Sequence, residues 1–334
     1  MNKVNLLNIW IDNLFKLELL ENLTTGVVFT TNVDHLVKLQ KDPEFFNVYN
    51  TADYKVCDSQ ILMYASKFLG TPFKEKVSGS DLLPAFYQYH QANEKIKIFL
   101  LGSKPGIAKQ AQQTINHKVS RNIVVGAHSP SFGFERNEQE CTEIIEKINQ
   151  SEATVLVVGL GAPKQEKWIH RYKSKLPNIK IFMALGATID FEAGNLKRSP
   201  KWMSDLGLEW FYRILREPKR LWKRYLIEDL PFFLLILKQK IRYKNKLNFQ
   251  EKTNLEQTSS TKKISELQLF QFNQNSVDQD EPVSRWNRTT LKRYSTWIKP
   301  TSAINLAINS RRSRQDRIEK PPQKTYLVSR LSYR

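Results

Sequence analysis

Several residues able to do chemistry stand at equivalent places in this chain, each at the end of a short apolar run. Thr30 and Asn32 follow Gly26-Val-Val-Phe29, Asp58 follows Lys55-Val-Cys57, and Asp190 ends Lys180-Ile-Phe-Met-Ala-Leu-Gly-Ala-Thr-Ile-Asp190. The run Thr154 to Val158 leads into Gly159-Leu-Gly-Ala-Pro-Lys-Gln-Glu166. An aspartate can take a proton from a hydroxyl, and amides and hydroxyls can orient a substrate. The two glycines let an anion approach the backbone, and a helix opened by Pro163 would turn its N–H groups and positive dipole end toward that anion. Lys164 and Gln165 fall in the first turn, within reach of the same ligand. A plain strand-to-helix turn explains Gly159 and Gly161 equally well. A dinucleotide fingerprint needs a third glycine at position 164, where this chain has lysine, so NAD is not favoured. Each polar residue alone is more often a cap or turn former. Their shared position at strand ends is what points to a site.

The elements that would hold these residues alternate along the chain. Residues 1–25 read as a short strand or turn followed by a helix from Leu14 to Leu23. The strand ending at Asn32 precedes a helix from Val33 to Leu39, capped by Asn32 or Thr31. Asp58 precedes a helix from Ile61 to Leu69, and Lys76-Val-Ser-Gly-Ser-Asp81 opens another with Ser80 or Asp81 as its cap. Lys97 to Gly102 reads as a strand, Ile107 to Val119 as its helix, Ile123 to Ala127 as a strand and Glu138 to Asn149 as a helix. Alternation of this kind predicts an α/β fold, a Rossmann-like parallel sheet with helices on both faces. Ligands of such sheets sit beyond the carboxyl ends of the strands.

Composition divides the chain into three. Residues 1–196 carry 22 basic against 20 acidic side chains, residues 197–250 carry 14 against 5, and residues 251–334 carry 16 against 8. We expect an α/β core over 1–196, a basic and aromatic helical appendage over 197–247 and a low-complexity, disordered basic tail over 248–334. In the appendage Arg213, Arg216, Arg220 and Arg224 recur at three- and four-residue spacing beside Trp210, Phe211, Ile214 and Leu215. A solvated face over a core stripe accounts for that pattern, and so does the headgroup zone of an anionic membrane. The longest apolar run, Leu230 to Leu237, is far short of the roughly 20 residues that span a bilayer, and no secretory signal is evident. Only Cys57 and Cys141 occur, which fits a reducing compartment and neither a disulfide scaffold nor a zinc site. Basic charge alone also admits a nucleic-acid-binding protein, but the sequence offers no reading helix or stacking motif for that role.

Six stretches, in order and at sensible spacing over residues 1–245, resemble the WecG/TagA/CpsF glycosyltransferases. They are Thr30-Thr-Asn32, Val56-Cys-Asp-Ser-Gln60, Lys76-Val-Ser-Gly-Ser-Asp-Leu82, Gly159 to Glu166, Ala184-Leu-Gly-Ala-Thr-Ile-Asp190, and Glu209-Trp-Phe-Tyr-Arg-Ile-Leu-Arg-Glu-Pro-Lys-Arg220. The resemblance implies inverting transfer of a sugar, N-acetylmannosamine or a relative, from a UDP donor to polyprenyl-diphosphate-linked N-acetylglucosamine at the cytoplasmic membrane face. It implies no cofactor, no metal, no nucleic-acid partner, and self-association. The residue matching the family's general base is Asp58. Substrate contacts match Thr30, Asn32, Lys76 and Gln165, and Arg213 and Arg220 would complete the site. Fixed donors around Pro163 to Gln165, Lys76 and the appendage cations would then stabilise the departing diphosphate. The one Asp-x-Asp match, Asp278-Gln-Asp280, lies in the tail and is taken as fortuitous. Two departures stand out: lysine replaces the family's usual arginine at position 76, losing bidentate pairing but keeping the charge, and Ser59 replaces a glycine after the aspartate. His35, three residues after Asn32, could orient a substrate, but as a lone helical histidine it reads first as structural.

Overall fold

A computed structural model describes residues 2–200, 202–203, 206, 208–223 and 227–275. Contacts divide the chain into two units, Met1–Lys252 and Thr253–Arg334.

The first unit is built on a six-stranded parallel sheet. Its strands are β3 (Gly26–Thr31), β4 (Tyr54–Cys57), β5 (Ile98–Gly102), β6 (Val124–His128), β7 (Val155–Gly159) and β8 (Ile181–Ala184), in the order β4-β3-β8-β7-β5-β6. Side chains alternate between two buried layers. Val27, Phe29, Leu156 and Val158 face one, with Leu36, Phe45, Ile144 and Trp168; Val28, Val155 and Val157 face the other, with Leu83, Phe86, Ala111 and Ile189. Burial on both sides is why these strands read as unbroken apolar runs rather than alternating ones. One layer is covered by helices α2 (Val33–Leu39), α3 (Pro43–Asn50), α4 (Gln60–Leu69), α7 (Glu138–Gln150) and α8 (Lys164–Tyr172). Helices α1 (Lys16–Asn22), α5 (Gly79–Tyr89), α6 (Ile107–Val119) and α9 (Thr188–Glu192) cover the other.

Four expectations change. The N-terminus is a full hairpin, β1 (Lys3–Leu6) and β2 (Ile9–Asp12), whose Asp12 accepts the Lys55 N–H at 2.8 Å and shields the β4 edge. Its turn residues Leu7 and Asn8 have φ of 51° and 68°, and without a glycine they give no hairpin signal. The cap of α5 is Ser78, whose Oγ accepts the Asp81 N–H at 3.2 Å, not Ser80 or Asp81. Asp190 lies in α9 rather than at a strand end, because Gly186 turns the chain at φ 59° after β8 and Ile189 then packs on the opposite layer. Finally, the last helix does not stop near residue 248: α12 runs from Pro231 to Asn275, a stretch with no further proline and no glycine to interrupt it. The appendage also contains α10 (Glu209–Arg216) and α11 (Pro218–Lys223). Arg224, the Asp278-Gln-Asp280 match and, of the disordered tail expected over 248–334, residues 276–334 lie outside the described residues.

The start of α12 is tied to the hairpin. Gln239 accepts the Leu7 N–H at 3.0 Å and donates to the Asn5 carbonyl at 3.0 Å, while Phe232 and Ile236 are buried beside Leu6 and Ile9.

Beneath the carboxyl edge of the sheet, α2, α3 and α8 enclose ionisable groups. Glu166 is fully buried, 3.9 Å from His35 Nε2, and its Oε2 finds no hydrogen-bond partner among the described residues. Burial pushes its carboxyl up to about 7, against the pull of the Gln165 amide and Lys38. The folded protein therefore holds this proton more tightly than the unfolded chain, so stability falls as pH rises from the ordinary carboxylate range through 7 and is level above it. Glu166→Gln removes that titration. The stability difference between variant and wild type should grow in the variant's favour by about 2–3 kcal/mol from pH 5 to pH 8, at roughly 1.4 kcal/mol per pH unit. Urea unfolding at the two pH values checks this, and a difference independent of pH would refute it.

Candidate active site

The carboxyl ends of the central strands open into one cleft of about 990 Å³. Thr30, Asn32, Asp58, Lys76, Gly159, Gly161, Lys164 and Gln165 all line it, as does Asp190. Five separate chain segments thus converge where a parallel sheet binds its ligands. The convergence depends on close backbone approach. A Cβ on Gly102 would lie 2.4 Å from the Gly159 carbonyl oxygen, and one on Gly159 would lie 2.6 Å from that of Gly186. Only glycine lets these strand ends pack so near, and the packing leaves the crevice above them open.

Thr30 is buried and donates to the Ala184 carbonyl at 3.3 Å, joining β3 to the end of β8. Asn32 caps α2 through Oδ1, which accepts the His35 N–H at 3.1 Å. His35 is buried behind it, with Nδ1 3.3 Å from the Tyr49 hydroxyl; that hydroxyl donates to Thr31 Oγ1 at 2.7 Å. His35 also lines the cleft. Asp58 follows β4 directly, its N–H donating to the Thr31 carbonyl at 2.7 Å, and it is half-buried at the cleft wall. The Val77 N–H donates to the Cys57 carbonyl at 2.7 Å, which brings the Lys76 segment alongside Asp58. Cys57 itself faces the core, and burial pushes its thiol up to about 12, so it is no nucleophile.

The turn after β7 is built differently from expectation. The Ala162–Pro163 bond is cis, and α8 starts at Lys164, with Pro163 just outside it. The Gln165 N–H is taken by the Gly161 carbonyl at 3.1 Å, so this helix start offers fewer free donors than the sequence suggested. Lys38 braces the turn from α2: its ammonium donates to the Ala162 carbonyl at 3.1 Å and to Asp34 at 2.9 Å. Lys164 pairs with Glu135 and sits 5.1 Å from the centre of the Phe132 ring. Burial raises the Glu135 carboxyl, but the Lys164 hydrogen bond, its own backbone N–H and the charges of Lys164 and Arg136 together outweigh it and hold the group below its ordinary value. Asp190 accepts from Ser103 Oγ at 2.8 Å across the cleft floor.

Sequence reasoning did not single out Ser103, Lys104 or Phe132 as lining residues. The signal was present for the first two, since Gly102-Ser-Lys-Pro-Gly106 is a glycine-bracketed loop after an evident strand, and Ser103 holds a left-handed φ of 63° there. From the appendage, Glu209, Trp210 and Glu217 reach the cleft. Arg213 lies in α10 and Arg220 in α11, but their side chains are outside those described.

Residues 4–246 match the family described as Glycosyl transferase WecG/TagA/CpsF family. Among curated proteins, the chain is 31% identical over 223 residues to an N-acetylglucosaminyldiphosphoundecaprenol N-acetyl-beta-D-mannosaminyltransferase from Bacillus subtilis (strain 168), covering 66% of this chain and 81% of that relative. The match takes in every strand of the sheet and all the cleft segments described above, so the chain belongs to the WecG/TagA/CpsF family and is a glycosyltransferase.

Proposed function

We propose that the chain transfers an N-acetylmannosaminyl group, or a closely related hexose derivative, from a UDP donor to polyprenyl-diphosphate-linked N-acetylglucosamine. The observation that carries the reading is the convergence of Thr30, Asn32, Asp58, Lys76 and Gln165 on one cleft in a chain that resembles a transferase of that specificity. Asp58 is the general base: it takes the proton of the acceptor hydroxyl as the oxygen attacks the anomeric carbon and UDP leaves from the opposite face, which inverts that centre. Charge on the leaving diphosphate is met by Lys76, by Lys164 released from Glu135, by the start of α8 and by the appendage arginines Arg213 and Arg220, without a metal. Lysine at position 76 supplies charge but a single point of contact, so donor positioning leans more on Asn32 and Gln165 than a bidentate arginine would require.

The acceptor is a lipid, and the appendage suits a membrane surface. Trp202, Leu215, Trp222, Leu234 and Leu237 are exposed, interspersed with Arg216, Lys219 and Lys223. No helix of the described residues is long and apolar enough to cross a bilayer. On this reading the protein binds the membrane peripherally, and the family resemblance adds the inner face of the cytoplasmic membrane and self-association.

Asp58→Asn should lower acceptor-dependent UDP release by about 10²–10⁴-fold while donor affinity and the unfolding transition stay near wild type. Turnover at the wild-type rate would remove Asp58 from the mechanism. In a second test, the full-length protein should sediment with phosphatidylglycerol vesicles. Replacing Arg216 and Lys219 by glutamate together with Leu234 and Leu237 by aspartate should cut the bound fraction by about tenfold. An unchanged bound fraction would contradict the membrane assignment.

A further inference from the structure

Gln165 and Glu166 form a unit whose consequence for the reaction can be read from hydrogen-bond chemistry. Both side chains are buried, at 2% and 0% exposure, yet Gln165 still lines the cleft. The Gln165 amide can be placed in only one of its two orientations. Its Oε1 accepts the Gly186 N–H at 3.0 Å, and a backbone N–H can only donate. Its Nε2 donates to Glu166 Oε1 at 2.8 Å. Flipping the amide would set Nε2 against the Gly186 N–H, two donors facing each other in a buried place, and lose that hydrogen bond. One proton of Nε2 is committed to Glu166, which leaves the second for another acceptor in a residue that lines the cleft.

We propose that Glu166 is a positioning residue for sugar transfer: from behind Gln165 it fixes that amide so that an N–H, and not a carbonyl, faces the bound UDP-sugar. The group so presented is a neutral donor, suited to a diphosphate oxygen or to a sugar hydroxyl or N-acetyl oxygen. Gly186 secures the same amide from the end of β8, so one side chain ties together the turns after β7 and β8, the two that floor the cleft. The groups packed around Glu166 are consistent with a holding role. His35 Nε2 lies 3.9 Å from it, and both Lys38 and Asp34 act on its charge from α2. Lys38 in turn anchors the Ala162 carbonyl, so the turn bearing Gln165 is held from two sides. Glu166 touches no substrate in this arrangement and acts only through Gln165.

This inference rests on the reading of Gln165 as a side chain that faces the donor, and the test separates the two. Steady-state UDP release by the full chain is measured for the wild type, Gln165→Ala, Glu166→Leu and the double variant, with Glu166→Gln and Gln165→Glu alongside. Gln165→Ala should lower kcat/KM by about tenfold or more, the scale of one hydrogen bond at the transition state. Glu166→Leu should lower it comparably in the wild-type background and by no more than about twofold in the Gln165→Ala background, because residues acting through one contact are not additive. Glu166→Gln keeps an acceptor for Gln165 Nε2 and should stay within about threefold of wild type. Gln165→Glu replaces the presented donor by an acceptor and should be at least as damaged as Gln165→Ala. If Glu166→Leu costs the same factor in both backgrounds, Glu166 is merely structural and the proposal falls. If Gln165→Glu is as active as wild type, the amide orientation is wrong. Unaltered kinetics in Gln165→Ala would instead overturn the reading of Gln165 itself. Should Glu166→Leu fail to fold, Glu166→Gln and Gln165→Glu still decide the orientation.

Discussion

The cleft exists because three neighbouring parallel strands end in backbone-to-backbone contact. At the ends of β5 and β7 and in the turn after β8, Gly102, Gly159 and Gly186 stack so closely that a methyl group on either of the first two would collide with a carbonyl oxygen. Each chain must then leave the sheet sharply, and the turns that result carry Ser103, Lys164, Gln165 and, after one further turn, Asp190. A bulkier residue at Gly159 would push β7 from β8, and with it the tie from Gln165 to Gly186. Sheet packing and site geometry are therefore one constraint seen from two sides.

The second layer of the design is polar and buried. Asn32, His35, Tyr49 and Thr31 form a chain of hydrogen bonds from the start of α2 into the strand β3. Asp34, Lys38 and Ala162 link the same helix to the turn after β7. Such a network holds its members in place when it is fully satisfied and is expensive when it is not. Glu166 is the member closest to that limit, with one oxygen used and one unpartnered among the described residues, and its raised pKa expresses the cost.

Much of this was legible in the sequence, for definable reasons. Strands buried on both faces read as apolar runs, and α6 falls on Ile107–Val119 because Gly106 stands at its start and an amphipathic repeat carries it to the left-handed Ser120. The motif residues from Thr30 to Gln165 lie together because strand ends in a parallel sheet share one edge. What was not legible depended on partners distant in sequence. The hairpin needs Leu7 and Asn8 at positive φ, an arrangement stabilised by Gln239 more than two hundred residues away and unmarked by local residue types. The cap of α5 could have fallen on any of three polar residues within Ser78-Gly-Ser-Asp81. Asp190 sits on an apolar run that in fact serves two elements, with Phe182 and Ile189 packing on opposite layers. The stretch beyond residue 248 is polar, which composition reads as disorder, whereas the absence of breakers up to Asn275 permits a helix. Burial of the Gln165–Glu166 pair could not be read from a segment as polar as Pro163-Lys-Gln-Glu-Lys167.

The account stands on the claim that this cleft joins a UDP-sugar to a lipid-linked acceptor. The measurement that tests it most directly offers the purified full-length protein a panel of UDP-sugars with a short-chain polyprenyl-diphosphate N-acetylglucosamine, in the presence of EDTA, and follows UDP release. The account predicts release from one donor, UDP-N-acetylmannosamine or a near relative, only when the acceptor is present. Release that ignores the acceptor, or none from any donor by folded protein, would contradict it.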